Sequence, residues 1–570
     1  MKTLLLNGKV INVFTKEIEQ LNILIENEKI IGVGDYTNEE VDNVVDVSDK
    51  YICPGFIDGH IHIESTMMTP PEFTKVCVPH GTTTVVADPH EIANVCGKAG
   101  IDYMLEASEN IPLTVYYMLP SCVPATPFDE AGAVLDADDL MQLYQNERVL
   151  GLGEMMNYSG VIGKDGEVIK KINDALALKK IVNGHAPLLT GEDLDKYISA
   201  GINDDHECST ADEAKERIKK GQWIMIRQGT AAKNLEGLMP LFQEPYCYRC
   251  LLVTDDKHPA DLLKNGHIDS IIREAVRLGK KEDRLSNVIK AISMATIQAA
   301  TCFGLHGVGA IAPGYIADLL VLDDLYDVKV SKVYHQGQCV ADDGKLIEFK
   351  LPQISADLKK SVGNSFYLNK LKPEDFTINK RGEKCLVIGV IKKQLLTQKR
   401  ILDIDFENGN GVDLKRDILK IAVIERHLCT GHIGLGFIQG IGIKAGAIAS
   451  SVSHDSHNLI VIGTNEDDMA MAANCIREMG GGNVVVNNEK VIEKMPLEVA
   501  GLMSRLAAKE LAMQNSNVRK AAHRLGANEG IEPFMNMAFV SLPVIPSLKM
   551  TTKGLIDVDN QRLVDLFVKD

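Results

Sequence analysis

At 570 residues the chain is too long for one domain, and at about 150 residues per domain three or four are expected. With 45% hydrophobic and 24% charged residues it has an ordinary globular composition with ample apolar material for cores. A formal charge of −17 argues against a nucleic-acid partner, because no basic face offsets phosphate repulsion. It suits small neutral or cationic molecules instead. The 12 cysteines are scattered rather than framed as in a small secreted domain. Residues 1–6 reach Asn7 and Gly8 too soon for a signal peptide, and no apolar run has membrane-spanning length. A soluble, cytoplasmic protein without a membrane partner is expected.

Residues 1–50 alternate short β-rich runs with turns. Leu4-Leu5-Leu6 meets Asn7-Gly8 and then Val10-Ile11-Asn12-Val13, and a hairpin-like run at 23–25 turns into 30–33. Residues 308–350 repeat that style, so 1–52 and 308–352 are expected to assemble one small β-sandwich. Between them, across 53–307, apolar β-rich runs alternate with helical patterns, the mark of βα units around a parallel sheet. Eight such runs occur, at 52–62, 82–88, 113–119, 149–154, 180–185, 202–206, 223–227 and 251–255. Eight match a (β/α)8 TIM barrel, whose active sites lie at the C-terminal ends of the strands. From 360 to 570 a further α/β or α+β domain is expected. It has strand-like segments at 385–391 and 421–424, a glycine-rich stretch at 430–446 and a helical pattern at 497–514.

The chemistry gathers at the strand ends. His60 and His62 stand two apart at the end of the first run, and side chains at i and i+2 of a strand share a face. Later runs end in Glu154, His185, His206 and Asp255. Four imidazoles and two carboxylates suit two divalent ions, with Glu154 and a hydroxide as bridges. A nitrogen- and oxygen-rich set free of thiolate suits Mn2+, Fe2+ or Zn2+. The ordered set reads as a metal-dependent hydrolase.

Several strings are more specific: residues 54–62 (PGFIDGHIH), 60–68 (HIHIESTMM), 87–95 (ADPHEIANV), 153–158 (GEMMNY), 183–187 (NGHAP), 254–259 (TDDKHP), 313–319 (PGYIADL) and 453–458 (SHDSHN). Together they resemble the bacterial adenine deaminases of the amidohydrolase superfamily, over essentially the full length. The fold class implied is α/β: a TIM barrel of amidohydrolase type, a small discontinuous β-sandwich and an additional C-terminal domain. The resemblance implies hydrolytic deamination of adenine to hypoxanthine and ammonia, with adenine and water as partners. It also implies a binuclear Mn2+ or Fe2+ centre, Mn2+ first, with Zn2+ kept as an alternative by the ligand set. A homo-oligomer, a dimer first, is expected.

Asp255, beside the metals, is expected to accept and relay the proton of the attacking water. His90 and Glu91, after the second run, suit orientation of that water or contact with the purine. They also suit a plain helix start, with Asp88 as cap and Pro89 first. Arg227, Gln228, Glu64, His454 and His457 are the candidates for contact with substrate. The polar, glycine-rich run at 425–446 and the motif at 454–457 are expected to be loops that cover the barrel mouth. Cys247 and Cys250 superficially resemble half of a cytidine-deaminase zinc site, but they enter an apolar run and read as strand packing. Two other readings stay open: a cyclic amide hydrolase of the same superfamily, and a non-catalytic binding or scaffold protein on the same barrel.

Overall fold

The computed structural model describes residues 1–230, 232–392, 394–406 and 410–568. Eight short parallel strands form its centre: β1 (Phe56–Ile61), β2 (Thr82–Ala87), β3 (Thr114–Leu119), β4 (Val149–Met155), β5 (Ile181–Gly184), β6 (Asp204–Asp205), β7 (Trp223–Arg227) and β8 (Cys250–Val253). They form a five-stranded sheet in the order β5-β4-β3-β2-β1 and a three-stranded sheet in the order β6-β7-β8. Two seams join the sheets. The Asp255 N–H donates to the His60 carbonyl (2.9 Å), and the Asn203 N–H donates to the Val182 carbonyl (2.9 Å). These strands read as apolar runs rather than alternating ones because helices and side chains bury both faces. The helix Ile268–Leu278 shows the matching pattern, burying Ile268, Ile271, Ile272, Ala275 and Val276 on one stripe.

The two β-rich segments meet in one strand network. Tyr51–Pro54 pairs parallel with Lys2–Asn12 on one side and antiparallel with Leu319–Asp324 on the other. That one strand joins the N-terminal segment and the 319–346 segment into a continuous nine-stranded sheet around a shared core that includes Leu5, Val10, Ile23, Ile52, Leu319 and Val321.

Past residue 380 an eight-stranded sheet, almost wholly antiparallel, runs from Thr397–Asp403 at one edge to Lys490–Pro496 at the other. The helix Glu466–Met479 covers one face. Two expectations are corrected here. The glycine-rich stretch 430–446 contains the central strand Ile433–Gln439, not a loop over the barrel. Its glycines serve close packing: a Cβ on Gly434 would collide with the Thr551 carbonyl. The helix expected at 497–514 instead begins at Ala508 and ends at Arg524. Ala500 and Gly501 both take left-handed backbone (φ 58° and 72°), which no helix continues through.

The C-terminal region sits against the strand ends. The Ser504 N–H donates to the Met67 carbonyl (2.8 Å). Asn458 Nδ2 donates to the Glu130 carbonyl (2.7 Å), and His432 Nδ1 lies 2.7 Å from the Glu130 carboxylate. Among the described residues no helix is long and apolar enough to cross a membrane. Cys247 and Cys250 are both buried, at the turn into β8 and on its first residue.

Candidate metal centre and active site

The strand ends deliver six side chains to one place. Glu154, at the end of β4, lies among them: its Oε1 is 3.3 Å from His62 Nε2, and its Oε2 is 2.7 Å from His185 Nδ1 and 3.1 Å from His206 Nε2. Asp255 Oδ1 approaches the same His62 Nε2 at 3.3 Å. His60 stacks on His206 (ring centroids 4.3 Å) and meets His62 edge-on (4.8 Å). All are buried except His185, which is half-buried.

Buried carboxylates that lie outside the strand-end set hold these groups in place. Asp88 Oδ2 accepts the Glu154 N–H (3.0 Å) and its Oδ1 the His90 N–H (3.2 Å). Gly153 leaves room for it, since a Cβ there would strike the Asp88 carboxylate. Asp204 accepts from the Gly184 N–H (3.1 Å) and from Asn183 Nδ2 (2.6 Å), fixing the end of β5 ahead of His185. Asp58 accepts from the Thr254 N–H (3.1 Å) and hydroxyl (2.5 Å), fixing the turn into Asp255.

Several nitrogens stand ready for a cation. His62 Nδ1 donates to the Asp88 carbonyl (3.0 Å), so a neutral His62 keeps an open lone pair on Nε2. His60 Nε2 and His206 Nδ1 are buried without any hydrogen-bond partner. His185 Nδ1 and His206 Nε2 face each other at 3.2 Å beside Glu154. An unmet buried polar atom is costly; a divalent cation would satisfy His60 Nε2, and His206 would reach such an ion through the Nε2 that faces Glu154. Ligand atoms of His60, His62 and Asp255, and of His60, Glu154 and His206, each cluster closely enough to hold an ion.

The electrostatics are mutual. Burial and the neighbouring His206 and His62 imidazoles push His60 down to about 3. Burial alone would raise the Glu154 carboxyl, but His185 and His206 outweigh it and hold it well below the usual range. For Asp255 the Arg227 guanidinium and His62 do the same against burial.

The remaining candidates sort by position. Arg227 lines the cavity, but its Nη1 is taken by Asp255 Oδ2 (2.6 Å) and Glu207 Oε1 (2.5 Å). Glu207 was not among the sequence candidates, although it follows His206 directly; it lies 3.4 Å from His206 Nε2 and 3.6 Å from His185 Nδ1. Gln228 lies outside the cavity, where its side-chain oxygen accepts the Leu235 N–H (3.3 Å). Glu64 also lies off it, accepting the Ile92 N–H (3.2 Å). The helical segment α1 (His90–Ala107), broken by a kink at Gly97, begins at the mouth of the strands. There His90 and Glu91 serve at once as its first turn and as cavity lining.

Glu91 meets the C-terminal region. Its Oε1 is 2.7 Å from His454 Nδ1, and its Oε2 accepts from His457 Nε2. The Ser453 N–H donates to His457 Nδ1 (3.2 Å), so the proton of a neutral His457 sits on Nε2, facing Glu91. Arg426 holds this loop from behind, donating to the carbonyls of His457 (2.6 Å), Ser365 (3.0 Å) and Ala500 (2.9 Å). The run at 425–427 is therefore a buried support rather than a lid. His454 and Asp455 line the cavity; His457 stands behind Glu91 and does not. The cavity measures about 1660 Å³ and is walled by the strand ends on one side and by residues 519–546 on the other.

Residues 51–340 match the model of the amidohydrolase family, and residues 394–562 match that of the adenine deaminase C-terminal domain. An adenine deaminase of Clostridium acetobutylicum is 45% identical over 97% of this chain and 95% of its own. Adenine deaminase 2 of Carboxydothermus hydrogenoformans is 44% identical over 98% and 95%. That of Kosmotoga olearia is 42% identical over 99% and 96%. This chain belongs to the adenine deaminase family. The amidohydrolase part is metal-dependent as a family, and the histidine and carboxylate groups described above are its candidate metal-binding residues.

Proposed function

We propose that this chain deaminates adenine hydrolytically, giving hypoxanthine and ammonia, at the site between the strand ends and the 453–458 loop. The observation that carries the reading is Glu154 set between His62 on one carboxylate oxygen and His185 and His206 on the other. The full-length likeness to named adenine deaminases supports the substrate. The two parallel sheets are read as one (β/α)8 barrel over 53–307; the seam hydrogen bonds at Asp255 and Asn203 support closure. The nine-stranded sheet (1–52 and 308–352) and the C-terminal unit (360–570) complete the proposed domains. Cytoplasmic location and a dimer remain part of the proposal.

Two divalent ions, Mn2+ first, with Fe2+ or Zn2+ as alternatives, would be held by His60, His62 and Asp255 on one side and His185 and His206 on the other, with Glu154 between. Bound there, they would polarise the substrate and lower the pKa of water so that it attacks near neutral pH.

The chain's own groups move the protons. The water oxygen bonds to C6 as the C6–N6 bond breaks. One of the water's two protons ends on N1 and the other on the departing nitrogen. Asp255 accepts the first, and because Arg227 and His62 hold its carboxyl low it is a weak base that passes the proton on. Burial alone would lower His90, but Glu91 and Asp88 outweigh it and raise the imidazole well above its ordinary value. His90 thus stands in the cavity as a proton donor toward the ring or the leaving nitrogen. Glu91, clamped by His454 and His457, fixes His90 at 3.4 Å. Arg227 orients Asp255 rather than the purine.

The test is the absorbance change as adenine becomes hypoxanthine, with adenosine and hydantoin as controls, on metal-loaded enzyme. Adenine turnover alone is expected. Ring opening of hydantoin with adenine unchanged would replace this reading with a cyclic amide hydrolase.

A further inference from the structure

A small chamber of about 30 Å³ lies behind the main cavity, between the first strand's end and the C-terminal region. Much of its wall is apolar, formed by Met67, Val452, Phe534, Met535, Ala538 and Phe539. Into this setting come two buried acceptors with nothing to accept. Glu64, 3% exposed, uses Oε1 for the Ile92 N–H (3.2 Å) and leaves Oε2 without a partner. Asn515, 4% exposed, spends its Nδ2 on the Met67 sulfur (3.5 Å) and leaves Oδ1 without a partner. Asp256 adds a second carboxylate, whose Oδ1 accepts from Ser65 Oγ (2.5 Å).

The volume admits one or two water-sized species. The chemistry of the wall narrows which. Two unmet acceptors and a carboxylate call for a donor-rich guest. Ammonium has four donors and the right size. The chamber also adjoins the place where ammonia is released. Asp256, His454, Glu532, Met535 and Phe539 line both spaces, and the His454 ring stacks on Phe539 (centroids 4.4 Å) as the partition.

We propose that this chamber is a binding site for ammonium, receiving the nitrogen released from C6 once the ammonia has taken one further proton from solvent water, before it leaves the protein. The inference rests on the deamination reading for its source of ammonium, but not for the site's ability to bind a monovalent cation. It adds a task for Glu64 and Asn515, neither of which reaches the main cavity.

Crystals of the metal-loaded enzyme soaked in thallous acetate test the site directly, since Tl+ has the size of ammonium and scatters anomalously. A peak beside Glu64 and Asn515 is expected, and Asn515→Leu should abolish it. In solution, ammonium chloride should inhibit adenine turnover noncompetitively relative to sodium chloride at equal ionic strength. Asn515→Leu should weaken that inhibition by about tenfold or more, and Asn515→Asp, which adds charge, should strengthen it. The two variants act in opposite directions, so a folding defect in one does not mimic the result. Density for water only in thallium-soaked crystals, or equal effects of ammonium and sodium, would overturn the site. A thallium peak in an enzyme that leaves adenine untouched would instead uphold the site and remove the deamination reading.

Discussion

The clamp on Glu91 makes a quantitative prediction about pH. His454 and Glu91 are buried and 2.7 Å apart. Burial alone would lower the His454 pKa, but the Glu91 carboxylate outweighs it and raises it from 6.5 to about 9. At about 1.4 kcal/mol per pH unit, that difference makes the pair worth about 3 kcal/mol to the docked loop. The sign follows from a folded-state value above the unfolded one: the contribution is complete below pH 6.5 and is lost as pH rises through about 9. Glu91→Gln removes the carboxylate and with it the shift. The readout is native-state hydrogen exchange at two amides of this loop, His454 donating to Ala538 (3.0 Å) and His457 donating to Ser453 (2.7 Å). Their opening free energy should fall by about 3 kcal/mol from pH 6.5 to pH 9 in the parent and stay nearly level in Glu91→Gln. An equal fall in both would refute the assignment of this energy to the Glu91 pair.

Metal analysis of fully active enzyme should find two ions per chain, with His60→Ala and Asp255→Ala each losing nearly all turnover; full activity at one ion per chain would end the binuclear reading. Arg227→Met leaves the Asp255 and Glu207 carboxylates buried without their shared guanidinium, and should destabilise the metal-free enzyme by about 3–5 kcal/mol. Arg227→Lys should restore only part of that loss, since one ammonium cannot reproduce a fork across two carboxylates; an unchanged melting temperature in Arg227→Met would contradict this. Lys549 is fully buried, donating to the Leu395 (3.1 Å) and Phe539 (2.9 Å) carbonyls, and burial pushes it down to about 7. The unfolded chain therefore holds more protons between pH 7 and about 10.5, so stability rises with pH over that range. Thermal melts should show Lys549→Met losing ground to the parent as pH rises; a pH-independent difference would contradict this.

Much of the site was legible from local pattern. The His60–His62 spacing, the apolar runs and their polar ends are properties of short segments, and a strand's two-residue period puts such side chains on one face without help from distant residues. What the sequence could not declare is which distant groups meet. Glu91 and His457 lie 366 positions apart, and nothing local marks them as partners. Arg227 looked free to touch substrate until folding set it between Asp255 and Glu207. The apolar spacing at 497–514 imitates a helix, yet Arg426, from another strand's end, holds the Ala500 carbonyl (2.9 Å) where the chain turns left-handed. The glycines at 434 and 436 looked like a loop because their reason, the close approach of residues 550–551, comes from a segment more than a hundred positions later. Periodicity and spacing act within one element and are written in it. Charge pairing, close approach and the space left between elements exist only once separate segments share a boundary, and that boundary is made by the packing of the whole chain.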